Sequence, residues 1–235
     1  MKKPSKIYRI TAGSLLLFIL ALGLLFGFYN EELPKGEQGP KADALAKKML
    51  TAIQEDNYKN TSILEWSFAR GKHQYVWNKE ENTVRVLWDE YRVHLNLKHQ
   101  GKSRAYKNNR LLKTEKQQKI IQKATDYFNN DSFWLVAPFK VFDPGTERRL
   151  VTLKDGSQGL LVTYTQGGTT PGDSYLWLLG PDAVPKSFKM WVEIIPLGGL
   201  EASWEGWQKT AAGVLLPSSH QIGPITIGMG AVKAY

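Results

Sequence analysis

An α+β fold, an antiparallel sheet with helices laid on it, is what this chain of 235 residues predicts. Three observations carry the prediction. Short runs alternate apolar and polar residues with a period of two, as strands do when one face is buried and the other wet. Two longer stretches instead carry apolar residues at helical spacing. The strand-like runs come in series before and after the second helix, with no β-α-β rhythm, which argues against a parallel sheet.

Taken in order, "KADALAKKMLTAIQED" sets Ala42, Leu45, Ala46, Met49, Ala52 and Ile53 on one stripe, with Asp43, Lys47 and Gln54 opposite. That predicts an amphipathic helix packed on a sheet. In "SILEWSFAR" Leu64, Trp66 and Phe68 alternate with polar neighbours, and "HQYVWNKEENTVRVLW" reads as two strands around an Asn/Glu turn. "YRVHLNLKH" sets Tyr91, Val93, Leu95 and Leu97 against Arg92, His94, Asn96 and Lys98. Residues 115–130 form the second helix, with Ile120, Ile121, Ala124, Tyr127 and Phe128 on its apolar side. "DSFWLVAPFKVFDPG" follows, either a short helix or a lid-like loop. "RLVTLKDGSQGLLVTYT" is a hairpin over Asp155-Gly156, and "SYLWLLGPDAVPKSFKMWVEI" is another. "EASWEGWQKTAAGVLLPSSHQI" reads as a further hairpin and "ITIGMGAVKAY" as an edge or closing strand. The order is helix, four or five strands, helix, then five or six strands.

The absence of cysteine excludes disulfides, thiol catalysis, thiolate metal sites and a lipidated N-terminal cysteine. Net charge is +9, unevenly spread. Lys2, Lys3, Lys6 and Arg9 precede any acid, and residues 98–123 hold nine Lys/Arg against Glu115 alone. What remains of the chain is mildly acidic. From Ile10 to Tyr29 twenty residues carry no charge, enough to span a ~30 Å hydrocarbon core as a helix. The cations before it and Glu31 and Glu32 after it orient the N-terminus to the cytoplasm and the body outward. Bulky aromatics where a small-x-small cleavage site belongs favour an uncleaved signal-anchor over a signal peptide. The expected organisation is a cytoplasmic basic tail (1–9), a transmembrane anchor (10–29), a linker (30–40) and an exported domain (41–235) in the periplasmic space, held at the inner membrane.

The residues offer little for catalysis. No phosphate-cradling loop, nucleophile elbow or paired-histidine zinc helix is present. His73, His94, His99 and His220 are scattered, Glu201 and Glu205 lie among tryptophans, and Ser218-Ser219-His220 follows Pro217 as a turn. No enzyme activity, metal or cofactor is expected. The sequons at Asn60 and Asn130 are read as chance. The basic segment, with Lys102, Arg104, Lys107, Arg110 and Lys113 as its candidates, suits an anionic lipid surface or a solvated strand edge and helix face; nucleic acid is not an expected partner. All eight tryptophans fall between Trp66 and Trp207. Trp66, Phe68, Tyr75, Trp77, Trp177 and Trp191 are the candidate lining of a hydrophobic cavity, the other reading being plain core.

The exported leader, the helix "ALAKKMLTAIQ", the strands "LEWSF" and "YVWN" and the hairpin "YLWLLGPDAVPKSFKMW" together resemble the periplasmic lipoprotein-carrier (LolA/LolB-like) superfamily. "NDSFWLVAPFKVFDPG" is similar to a segment of its uncharacterised exported relatives. The resemblance implies a curved, half-open antiparallel sheet of about 9–11 strands, two or three helices packed on one side, and a cavity for acyl chains. Two departures stand out: a soluble carrier leaves the membrane whereas this leader reads as retained, and a lipidated receptor needs the missing cysteine. The expectation is therefore a membrane-anchored, non-enzymatic domain for a lipid-like or other hydrophobic ligand. The alternative is a protein-interaction or envelope-assembly module with a filled core.

Overall fold

A computed structural model describes residue 27, residues 29–166 and residues 170–235. The basic tail, and the apolar stretch 10–29 apart from Gly27 and Tyr29, lie outside the described residues. Among the described residues no helix is long and apolar enough to cross a membrane.

Among the described residues the fold is α+β, with two large antiparallel sheets and three helices from Pro40 onward. Helix α1 (Pro40–Ala52) opens with proline at its first position, where the missing N–H costs nothing. It stops at Gln54, whose φ of 64° is left-handed, and α2 (Glu55–Asn60) follows. The first sheet is a meander of β1 (Ile63–Phe68), β2 (His73–Asn78), β3 (Thr83–Trp88), β4 (Tyr91–Asn96), β5 (Arg104–Lys107) and β6 (Arg110–Leu111), with the C-terminal β16 (Lys233–Ala234) added beside β1. Leu64, Trp66, Tyr75, Val84, Val86, Val93 and Leu95 point inward, as their alternation requires.

Helix α3 (Thr114–Val136) runs six residues beyond the expected 130, through the segment left open between helix and lid, and tightens into a 3-10 turn over Ala137–Lys140. It continues because Asp131, the polar interruption of its apolar stripe, finds partners inside. The second sheet is β7 (Thr146–Thr152), β8 (Gln158–Tyr164), β9 (Ser174–Leu179), β10 (Pro185–Trp191) and β11 (Leu200–Ser203), in that order across the sheet.

The C-terminal third is more divided than the expected hairpin and closing strand. It makes a ribbon of β12 (Gln208–Lys209) with β13 (Leu215–Leu216), and a second of β14 (Ser219–Ile222) with β15 (Ile225–Gly228). The second ribbon lies between the two sheets: Glu205 N donates to Ser219 O at 3.0 Å on one side and Ser67 N to Met229 O at 3.0 Å on the other. The strands thus number sixteen among the described residues, seven and five in the two large sheets and two in each ribbon, rather than 9–11 in one sheet. Strand alternation sees each strand but not the breaks between hydrogen-bonded ladders.

One core unites both sheets with α1 and α3. Within the expected linker (30–40), Asn30, Glu31 and Glu37 are fastened to the second sheet and the loop beside it. Glu31 N donates to Gly198 O (2.9 Å), Gly198 N to Asn30 Oδ1 (2.8 Å), and Glu37 and Leu150 exchange both backbone bonds at the edge strand β7. Gly198 is required here, because a Cβ would meet Glu31 O at 2.5 Å and the Trp191 ring at 2.6 Å.

Candidate functional site

The aromatic seam along α3 is the most built feature of the interior. Its first half faces the first sheet. Phe128 lies edge-on to Trp77 at 5.2 Å and beside Trp66 and Tyr75 at 6.2 and 6.3 Å, while those two stack on each other at 4.6 Å. Tyr127 stacks on His73 at 4.0 Å and meets Trp88 edge-on at 5.5 Å. The second half faces the second sheet: Phe133 packs on Tyr175 at 4.6 Å and Trp134 on Phe188 at 5.5 Å. Trp177 touches both Phe188 (5.2 Å) and Trp204 (5.0 Å), and Trp204 meets His220 at 4.6 Å. A 3.6-residue period turns Phe128 and Phe133 toward different sheets, so one helix covers both.

Of the six residues expected to line a cavity, Trp66, Tyr75 and Trp177 are buried in this interior, with Phe68 and Trp77 half-buried at its margin. Trp191 does not join them. In β10 Phe188 and Met190 point inward, so Trp191 faces the other way, onto Val151, Leu161 and Leu176. There its Nε1 donates to Glu31 O at 2.8 Å. The two tryptophans of the β9–β10 hairpin therefore serve opposite faces of one sheet.

Polar atoms in the interior fall into two groups. Asp131, 1% exposed, is fully engaged: Tyr75 Oη donates to its Oδ2 at 2.6 Å, His73 Nδ1 lies 2.6 Å from the same oxygen, and Asn130 Nδ2 donates to Oδ1 at 2.9 Å. Burial, and then the Asp131 charge, pushes the Tyr75 phenol well above its usual range. Sequence reasoning missed this centre; the available signal was an aspartate three residues after Phe128 and four before Leu135, on the apolar stripe. The second group is unpartnered: Trp66, Trp88, Trp177 and Trp204 Nε1 and His220 Nε2 are buried without a hydrogen bond. His220 uses its other nitrogen, Nδ1, 3.0 Å from Ser203 O. Burial drives its pKa down to about 4, against the opposing pull of Ser203, Trp134 and Glu205, so the imidazole is neutral at pH 7.

An open cleft of about 450 Å³ lies outside this second group, under the turn that joins β9 to β10, against Trp204 and Trp207. Trp204, 2% exposed, is at once its wall and the neighbour of Trp177 and His220. Trp207 is pinned there by donating to Pro185 O (2.9 Å) and Trp204 O (3.1 Å).

Elsewhere the expected chemistry stays dispersed. His94 is on the outer face of β4, Glu201 accepts from Ser187 Oγ at 2.6 Å, and Glu205 pairs through its backbone with Ser219. Among the described residues no three His, Asp or Glu side chains gather as metal ligands would. The five basic candidates do not form one patch. Lys107 stands opposite Tyr91, on the α3 side of the sheet, and pairs with Glu90 at 2.7 Å, with Arg110 opposite it. Arg104, an odd number of strand positions away, faces outward, while Lys102 sits in a 3-10 turn and Lys113 caps α3. No protein-family model matches the chain, and no curated protein matches it.

Proposed function

We propose that this chain is a membrane-anchored exported domain that holds an amphiphilic, lipid-like molecule between α3 and its two sheets, without catalysis. The observation that carries the reading is the set of unpartnered donors in an aromatic interior. Buried indole N–H groups ordinarily find an acceptor, yet four of them here, on Trp66, Trp88, Trp177 and Trp204, have none. Apolar rings supply the surface for acyl chains, and indole N–H groups supply donors for ester, carboxylate or phosphate oxygens. The cleft beside Trp204 gives a route inward, since Trp204 is both its wall and the neighbour of Trp177 and His220. The resemblance to lipoprotein carriers, and the ribbon that joins the two sheets, agree with a curved sheet closing over such a ligand.

A second reading, an interaction or assembly module with a filled core, has its own support: rings pack against rings throughout the seam, and the cleft beside Trp204 is open to solvent rather than enclosed. Photolabelling separates the two. The full chain in vesicles containing a phospholipid with a diazirine on its acyl chain is irradiated and its adducts are mapped by mass spectrometry. Adducts on Tyr127–Trp134, Trp177 or Trp204 support ligand binding. Adducts confined to residues 10–29 and outer surfaces refute it and leave the filled core.

A further inference from the structure

We propose that the outer face of the first sheet is a docking surface for an anionic phospholipid bilayer. The face differs from the basic segment read along the chain, because strand register assembles it from β3, β4 and β5. Arg85 stands opposite His94, and His94 opposite Arg104, in one row. In the next row Leu87 stands opposite Arg92, Arg92 opposite Tyr106, and Tyr106 opposite Leu111. Directly paired residues project to the same side, so three arginines and a histidine share a surface with a tyrosine and two leucines.

Several features mark this surface as made for an anion. Like charges on neighbouring strands are destabilising, and no carboxylate among the described residues forms an ion pair with Arg85, Arg92 or Arg104. Arg92 lies over the Tyr106 ring at 5.1 Å, and its Nε is buried without a partner. Arg104 is held by donating to Gly101 O and Ser103 O at 2.9 and 2.8 Å. His94, edge-on to Tyr106, has its pKa lowered by burial and then by Arg92 and Arg85, so the face repels additional positive charge. A cleft of about 410 Å³ continues the surface toward β1, with Val76, Leu87 and Arg85 on its wall beside Glu65, whose carboxylate is paired with Lys233 at 3.7 Å.

Two observations favour a bilayer over a small soluble anion. Arg85 and Arg104 are separated by two strand spacings, about 10 Å, with Arg92 in the adjacent row, so the cations are spread along the face over three strands rather than gathered in one pocket. Apolar side chains are interleaved with the cations: Leu87 is half-buried opposite Arg92, and Leu111 is 56% exposed opposite Tyr106. Cations with exposed apolar neighbours are the composition of a surface that rests at the headgroup boundary. The inference does not depend on a ligand in the interior.

The chain has no cysteine, so Gln74→Cys on the same outer face accepts a single fluorophore. The full chain is reconstituted in nanodiscs of phosphatidylcholine, with or without phosphatidylglycerol, and quenching by headgroup-spin-labelled lipid reports docking. Quenching is expected only with phosphatidylglycerol, and weakening with salt. At roughly fivefold per basic residue, the triple Arg85→Gln/Arg92→Gln/Arg104→Gln lowers the docking equilibrium on the order of a hundredfold. The pair Arg85→Gln/Arg104→Gln, both exposed, lowers it roughly twenty-five-fold even if Arg92→Gln disturbs folding. The matched triple Lys107→Gln/Arg110→Gln/Lys113→Gln removes the same charge elsewhere and leaves most of the quenching. Equal loss in both triples, quenching independent of phosphatidylglycerol, or tight binding of a single-stranded oligonucleotide with no lipid effect each overturn the proposal.

Discussion

His220 makes stability fall with acid in a window that its environment defines. The ring is fully buried between Trp204 and Trp134, and its pKa lies near 4 against an ordinary 6.5. In the unfolded chain the imidazole takes up a proton as pH drops through 6.5; in the folded chain it does so only near 4. Between those values the unfolded state binds more protons, so unfolding becomes easier as pH falls, and below 4 no further loss comes from this residue. The loss amounts to about 2 kcal/mol at pH 5 and about 3 kcal/mol below pH 4. His220→Gln removes the titration while keeping a donor for Ser203 O. Urea unfolding of the full chain in neutral detergent, followed by tryptophan fluorescence from pH 7.5 to 4, should show the wild type losing about 2 kcal/mol more than the variant by pH 5. Carboxylates titrate in both proteins and cancel. A constant difference across the window refutes the reasoning. So does an imidazole NMR signal of wild-type His220 that titrates near 6.5, a measurement that survives a variant unable to fold.

Phe128→Ala removes the ring that joins α3 to Trp66, Tyr75 and Trp77, and should cost about 3–5 kcal/mol in chemical denaturation; less than about 1 kcal/mol would mean the helix is not held there. Asp131→Ala strands the buried Tyr75 hydroxyl and should cost about 3 kcal/mol. Adding Tyr75→Phe in that background should recover about 1 kcal/mol, whereas strict additivity in the double-mutant cycle would deny their coupling. Trp177→Ala should cost about 3–5 kcal/mol and Trp191→Ala distinctly less, because the first empties the shared core and the second only uncovers the strap at Glu31. Equal melting losses would contradict the assignment of the two rings to opposite faces.

The strands of the first sheet follow the written pattern closely. Ile63–Phe68, Thr83–Trp88 and Tyr91–Asn96 fall within the runs that alternate, since period-two patterning reflects one buried face and nothing else. The β7–β8 hairpin turns at Asp155-Gly156, where Gly156 has φ 82°, a conformation that glycine adopts without strain. The helical stripe of 41–56 was legible too, but not its break at Gln54, because left-handed backbone at a glutamine carries no compositional signal.

Composition and periodicity by themselves determined the α+β class, the antiparallel pairing and most inward-facing side chains, because these depend on each segment's own hydrophobic pattern. Tertiary structure alone decided which segments share a surface. Alternation tells which residues of one strand lie together, but not which side of the next strand meets them, so Trp177 and Trp191 read as partners and are not. Proximity along the chain joined Arg104 to Lys107 and Arg110, whereas register joins it to Arg85 and Arg92 across three strands. Asp131 reads as a break in a helix stripe until His73 and Tyr75, more than fifty residues earlier, arrive to bind it. Each is a long-range pairing, set by how the ladders align and by which polar groups must be satisfied once water is excluded, and no local pattern encodes it.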